Sequence, residues 1–278
     1  MTNSLVKHYK VGFIGAGNMS QSIISSLVNS NILPKQNILL SNRSEKKLER
    51  VVKELGVRPV ASNEELIEES NIIIIAVKPQ DIVHAVEPIS SSFAPDDIVI
   101  SLAAGISLEK LKKLVPQVKN WVRVMPNTPV SIEKGVIGYC KLNESESTSA
   151  VVEDLFSSLG DVEKVTEGEM FEALMVATSS GVGFVFELML YWQEWLEEHG
   201  FTPEKARNMT VQTFLGAALL ANGDAQKSLQ DLQNKVTSKK GVTAAGLDSM
   251  RELEVERAMR YSFEKAVLRD RELAKISD

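Results

Sequence analysis

Val11-Gly12-Phe13-Ile14-Gly15-Ala16-Gly17-Asn18-Met19-Ser20 places a Gly-x-Gly-x-x-Ser turn between a short apolar strand and an amphipathic helix. Each small residue in it has a physical task. Gly15 permits the tight turn out of the strand, and Gly17 lets the backbone approach a pyrophosphate. The first amides of the helix, at Asn18 and Met19, are donors at the end where the helix dipole favours negative charge. Ser20 stands where a third glycine is usual and is small enough for close helix–strand packing. The strand before and the helix after supply the context that such a motif needs to read as a dinucleotide-binding turn.

Working outward, strands are expected at residues 10–14, 38–41, 58–61, 71–77, 98–102 and 121–125, with helices at 19–30, 44–55, 63–69 and 107–114. The run 71–77 is almost wholly apolar, as a strand covered on both faces should be. Residues 135–140 and 161–165 read as closing strands around a helix at 145–159. Strands alternating with helices imply parallel pairing and right-handed crossovers, hence an α/β doubly wound sheet of Rossmann type over residues 1–165.

From 166 to 278 the pattern changes to helices alone, at 169–199, 202–221, 229–235, 245–253 and 255–276. Gly181 and Gly183 lie inside the first of these, where each costs about 1 kcal/mol relative to alanine. They predict a kink or a close backbone approach. Phe171, Leu174, Phe184, Phe186, Trp192 and Trp195 nearly encircle the same helix. An all-round apolar helix must be covered on several sides, so the helical half is expected to form a homodimer interface, with assembly beyond the dimer left open.

The end of the second strand chooses the cofactor. An NAD site holds an acidic residue there for the ribose hydroxyls, whereas this chain reads Ser41-Asn42-Arg43-Ser44. No carboxylate repels a 2′-phosphate, and Arg43 offers charge and planar donors to bind one. NADPH is therefore expected over NADH, with Asn42, Arg43 and Ser44 as ligands and Ser44 also a candidate helix cap. Val77-Lys78-Pro79-Gln80 and Ala103-Ala104-Gly105 end the next two strands at the edge where open α/β sheets bind ligands. Val77, Lys78, Pro79, Ala103 and Ala104 join the expected cofactor residues, as does Asn63 at the start of the helix 63–69. Arg123-Val124-Met125-Pro126-Asn127-Thr128-Pro129 ends the sixth strand, with Asn127 a candidate polar group near the reacting centre.

The net charge of −6 over 278 residues favours solubility and argues against a nucleic-acid partner. One cysteine, Cys140, forbids an internal disulfide and reads as a buried, inert thiol in a reducing compartment. The polar N-terminus lacks a signal-peptide core, and the longest apolar run, 72–77, is far too short for a bilayer. The chain thus reads as cytoplasmic with no membrane partner. His8, His84 and His199 fall outside the expected site segments and, with Cys140, show no metal-ligand spacing, so no metal is expected.

Together these segments resemble the pyrroline-5-carboxylate reductases, which reduce a cyclic imino acid to proline. The matching pieces are Gly12 to Met19, Asn42-Arg43-Ser44, Val77 to Gln80, Ala103 to Gly105 and the Arg-Val-Met-Pro-Asn-Thr-Pro run at Arg123. Val211-Gln212-Thr213-Phe214-Leu215-Gly216-Ala217 and Val236-Thr237-Ser238 continue the match, so it covers nearly the whole chain in order. The resemblance implies hydride transfer from NADPH to a cyclic imine, with Ser238, Gly241 and Thr243 clamping the substrate carboxylate beside a partner subunit. It also implies a hydrogen bond from Thr243 to the ring nitrogen and a place for Ser180 in the site. Two segments depart from the family. Gly-Ser-Gly-Pro-Ala-Tyr is here Ser179-Ser180-Gly181-Val182-Gly183-Phe184, and Val-Thr-Ser-Pro-Gly-Gly-Thr-Thr is Val236-Thr237-Ser238-Lys239-Lys240-Gly241-Val242-Thr243. Three readings stand at this point: a reductase of pyrroline-5-carboxylate, a reductase of another imino or keto acid, and a catalytically weak NADP-binding paralogue.

Overall fold

Strands β1 (Val11–Ile14), β2 (Ile38–Ser41), β3 (Arg58–Pro59), β4 (Ile72–Ile75), β5 (Ile98–Ser101) and β6 (Asn120–Pro126) lie parallel in the order β3-β2-β1-β4-β5-β6. β7 (Gly135–Lys141) and β8 (Gly160–Lys164) extend the sheet beyond β6. This is a computed structural model, and it describes residues 4–276. All residues of β1, β2, β4 and β5 are buried, because helices cover both faces. On one face Phe13, Leu40, Ile74 and Ile100 stand in register and pack with Ile23 and Leu27 of α1 (Asn18–Asn29). Val152, Leu155 and Phe156 of α6 (Glu146–Phe156) continue the same core under β6 and β7.

One expectation is corrected here. The alternation of strands and helices predicts parallel pairing throughout, yet β7 runs antiparallel to β6, with Val124 opposite Tyr139. The link between them, 127–134, holds only a 3₁₀ turn at Thr128–Ile132. A parallel crossover needs a dozen or more residues. β8 then follows β7 in parallel through α6.

The remaining helices of this part are α2 (Glu45–Leu55), α3 (Asn63–Glu69), α4 (Ile82–Val86) and α5 (Leu108–Leu114). Ser62, Ser107 and Ser145 cap α3, α5 and α6, each hydroxyl accepting from the amide three residues on. Cys140 on β7 is 2 % exposed, and burial pushes its thiol up to about 12. A thiol reagent at pH 8 should therefore leave the native protein unlabelled and react stoichiometrically once denaturant is added. Rapid native labelling would contradict the packing of β7.

After β8 the chain is helical: α7 (Glu169–Leu174), a π-helical turn (Met175–Ser180), α8 (Gly181–Glu198), α9 (Pro203–Gly223), α10 (Leu229–Lys235), α11 (Val242–Glu252) and α12 (Val255–Ile276). The irregularity expected at Gly181 and Gly183 falls just before them, as the π turn. The run Glu169–Glu198 is by length and composition able to cross a membrane, and it is mostly exposed. α11 begins three residues before the expected 245, which puts Thr243 in its first turn.

Two compact units result. The first holds the described residues up to Ser180 together with those from Ala266 onward, and the second is Gly181–Lys265. Within the second, Trp192 meets Phe214 edge to face at 5.3 Å, and the rings of Phe184 and Phe263 lie 5.5 Å apart. Such pairs add about 0.5–1.5 kcal/mol each beyond area burial.

Candidate active site

Because β1 to β6 are parallel, the loops leaving their carboxyl ends share one edge of the sheet. Strand order reverses between β1 and β4, the usual place for a ligand crevice. Gly15 leaves β1 at φ +108°, and a Cβ there would stand 2.9 Å from the Ala76 carbonyl oxygen. Its amide donates to Ser41 O at 2.9 Å, which ties the turn to β2. Gly17 is the N-cap of α1 and brings no capping side chain, while a Cβ on it would meet only Ala76 O, at 3.9 Å. The result is an open cradle with helix amides at its floor, which fits a pyrophosphate. Ser20 contributes more than small size: it is fully buried and its hydroxyl donates to Gly15 O at 2.6 Å.

The loop after β2 divides its labour. Asn42 Oδ1 accepts from the Ala16 amide at 3.1 Å and its Nδ2 donates to Ser44 O at 3.0 Å, so this side chain braces the glycine turn. Arg43 is exposed and has no ion pair or hydrogen bond among the described residues. Ser44 stands at the N-cap of α2, but its hydroxyl accepts no helix amide, contrary to the capping expected of it. Neither side chain has a hydrogen-bond partner among the described residues. Ser41 donates to Asn63 Oδ1 at 2.6 Å, which turns that carbonyl inward at the head of α3.

Val77 and Lys78 follow β4, and Pro79 opens a 3₁₀ turn (Pro79–Asp81) that leads into α4. Ala103 is buried, Ala104 half-buried, and Gly105 turns at φ +68°. Asn127, expected as a polar group near the reacting centre, is 6 % exposed and works as a brace. Its Oδ1 accepts from the Val136 amide at 2.9 Å, and its Nδ2 donates to Thr178 O at 3.2 Å. Ser179 donates to Pro126 O at 3.2 Å, so the π turn is anchored on the end of β6, and Ser180, its last residue, is exposed.

Ser238, Gly241 and Thr243 belong to the second unit, where they surround the start of α11. The Gly241 amide donates to Ser238 O at 3.0 Å, closing a four-residue turn with Lys239 and Lys240 at its centre. Lys240 has φ +59°. Gly241 is the N-cap of α11 and offers no capping side chain, so the first-turn amides at Val242 and Thr243 face outward beside two exposed hydroxyls. That is a carboxylate-binding arrangement in kind.

Residues 10–105 match the family model for NADP oxidoreductase, coenzyme F420-dependent, and residues 168–273 match that for pyrroline-5-carboxylate reductase dimerisation. The pyrroline-5-carboxylate reductase of Vibrio alginolyticus is 31 % identical over 272 residues, 98 % of this chain and 100 % of that one. The chain belongs to the pyrroline-5-carboxylate reductase family. Among solved structures, a pyrroline-5-carboxylate reductase from Coxiella burnetii has a TM-score of 0.87 at 29 % identity, covering 95 % of this chain and 98 % of that one. The Plasmodium falciparum pyrroline carboxylate reductase with NADP bound has a TM-score of 0.84 at 25 % identity, covering 96 % and 99 %.

Membership gives the lysine pair its meaning. Pyrroline-5-carboxylate reductases usually carry Pro-Gly where this chain has Lys239-Lys240, and Pro-Gly is the sequence signature of a turn with positive φ at its third residue. The turn persists after both residues have changed. A left-handed backbone costs an L-residue about 1–2 kcal/mol, and glycine's greater freedom in the unfolded chain offsets about 0.5–1 kcal/mol of that. Lys240→Gly should therefore raise the unfolding free energy by about 0.5–1 kcal/mol in a denaturant titration. A loss of stability would show that the lysine side chain makes a compensating contact.

Proposed function

We propose that the protein reduces 1-pyrroline-5-carboxylate to L-proline with NADPH, as its relatives' names imply. The observation that carries the substrate reading is the Ser238-to-Gly241 turn, closed at 3.0 Å in front of a helix without a side-chain cap although its two central residues have changed. NADPH, when bound, supplies a hydride. Gly15, Gly17 and the amides of Asn18 and Met19 would hold the pyrophosphate, and Arg43 with Ser44 the 2′-phosphate. Asn42 and Asn63 set that loop. Val77, Lys78 and Pro79 would border the ribose, while Ala103 and Ala104 leave room for the nicotinamide.

On the substrate side, Ser238, Gly241 and Thr243 would bind the carboxylate, with the Thr243 hydroxyl placed for the ring nitrogen. Ser180 stays a candidate by the resemblance, exposed at the end of the π turn, and Asn127 would act through the bracing of β6, β7 and that turn. A protonated cyclic imine is already electrophilic at carbon, so the protein need not supply a strong acid. Position does most of the work, worth about 7–11 kcal/mol in favourable cases. His84 lies on α4 and His199 just after α8, and neither belongs to a segment assigned here to cofactor or substrate.

The apolar side chains on α8 and α9, among them Phe186, Leu190, Trp195, Leu219 and Leu220, are exposed in the single chain. A second copy packed through the C-terminal helices is the cover we infer for them, consistent with the dimerisation model matched over 168–273. A functional division at 165/166 fits the same match. A lone buried thiol suits the reducing cytoplasm. The deciding experiment is product analysis: with 1-pyrroline-5-carboxylate and NADPH, proline should form mole for mole with NADPH oxidised. Oxidation with another imino or keto acid and none with this one would favour the second reading.

A further inference from the structure

The last turns of α12 fold against the loop that follows β5. An added Cβ on Gly105 would stand 3.2 Å from the Ala274 amide nitrogen and 3.5 Å from the Asp270 carbonyl oxygen, so helix backbone and loop are in direct contact. The φ of +68° at Gly105 and this approach both favour glycine. The Asp270 carboxylate faces the Gly105 amide; burial pushes its pKa up, against the pull of Arg123 and of that amide.

The surrounding charges fasten both partners of this contact. Arg271 grips Glu172 of α7 with two bonds, at 2.8 and 2.5 Å. Arg123, 6 % exposed on β6, pairs with Glu167 at 2.7 Å and stacks over the Phe171 ring at 4.3 Å. Glu167 also accepts the Leu108 amide at 2.8 Å, which fixes the far end of the same loop where α5 begins. The loop from Ala103 to Leu108 is thus held at Gly105 and at Leu108 by acidic side chains of two separate segments.

We propose that the Asp270-to-Ala274 segment of α12 is a positioning element for the nicotinamide end of the cofactor, with the Arg271–Glu172 pair as its fastening. The proposal rests on the reading of Ala103 and Ala104 as the nicotinamide seat. It gives the end of the chain a task in the cofactor site, which neither the glycine turn nor Arg43 performs.

Charge reversal tests it without substrate. Calorimetric affinities would be measured for NADP⁺ and for 2′-phospho-ADP-ribose, the same nucleotide without its nicotinamide. Arg271→Glu and Glu172→Arg should each weaken NADP⁺ by about 10-fold, because small displacements of a seat carry large effects. Neither should change the affinity for 2′-phospho-ADP-ribose, and the double reversal should restore NADP⁺ binding. Unchanged NADP⁺ affinity in both single variants, equal loss of both ligands, or no recovery in the double reversal would overturn the proposal. Arg271→Gln, which removes the pair without adding repulsion, serves if a reversal fails to fold, and the same split between ligands is expected of it. A wild-type protein that binds neither ligand would overturn the cofactor reading itself, and this inference with it.

Discussion

Arg43→Glu should lower kcat/KM for NADPH by about 100-fold and leave kcat/KM for NADH within about threefold of wild type. The guanidinium is exposed and unpaired among the described residues, so its removal breaks nothing inside the protein. Two effects then add on the ligand side. A charge-assisted hydrogen bond to a phosphate is lost, worth about 1.5–3 kcal/mol, and a carboxylate is placed where the 2′-phosphate would lie. NADH has no 2′-phosphate and feels neither. Steady-state kinetics with both cofactors gives the answer, and equal losses for the two would mean that Arg43 does not read the phosphate.

Gly241→Ala should cost about 100-fold in kcat/KM for the imino acid while NADP⁺ affinity stays at the wild-type value. A Cβ at this position would stand 2.2 Å from Ser238 Oγ and 3.1 Å from Ser238 O. The hydroxyl can rotate away only by leaving the carboxylate clamp proposed above, and the backbone contact then opens the turn. The sheet is untouched, so thermal stability should change little. Loss of both substrate and nucleotide binding would point to a wider disruption, and full activity would remove the turn from the substrate site.

Much of this was legible in the residues. The glycine turn and the apolar runs locate β1 to β6 and the helices α1, α2, α3 and α5 to within a few positions, because buried parallel strands leave strong local signals, whereas the five-residue α4 is too short to show a period and went unread. The direction of β7 left a signal too, in the brevity of the 127–134 link, but the apolar pattern of Gly135–Lys141 reads the same in either direction. The roles of Asn42 and Asn127 were not legible. A polar side chain at a strand end looks like a ligand in sequence, and only geometry shows that its amide is already engaged by Ala16 or by Val136 and Thr178. The return of α12 to the sheet unit rests on contacts such as Arg271–Glu172, which are far apart in the chain and leave no periodic trace. Lys240 is the opposite case: its left-handed backbone was foreseeable from the family's glycine, yet the residue present gives no hint of it.

The most direct test is steady-state NADPH oxidation by the purified protein with 1-pyrroline-5-carboxylate as substrate, repeated with NADH. Turnover of about 1–10³ s⁻¹, with the higher kcat/KM for NADPH, is the predicted result. Firm NADPH binding without turnover of this substrate would contradict the account, and would do so at the Ser238-to-Thr243 clamp.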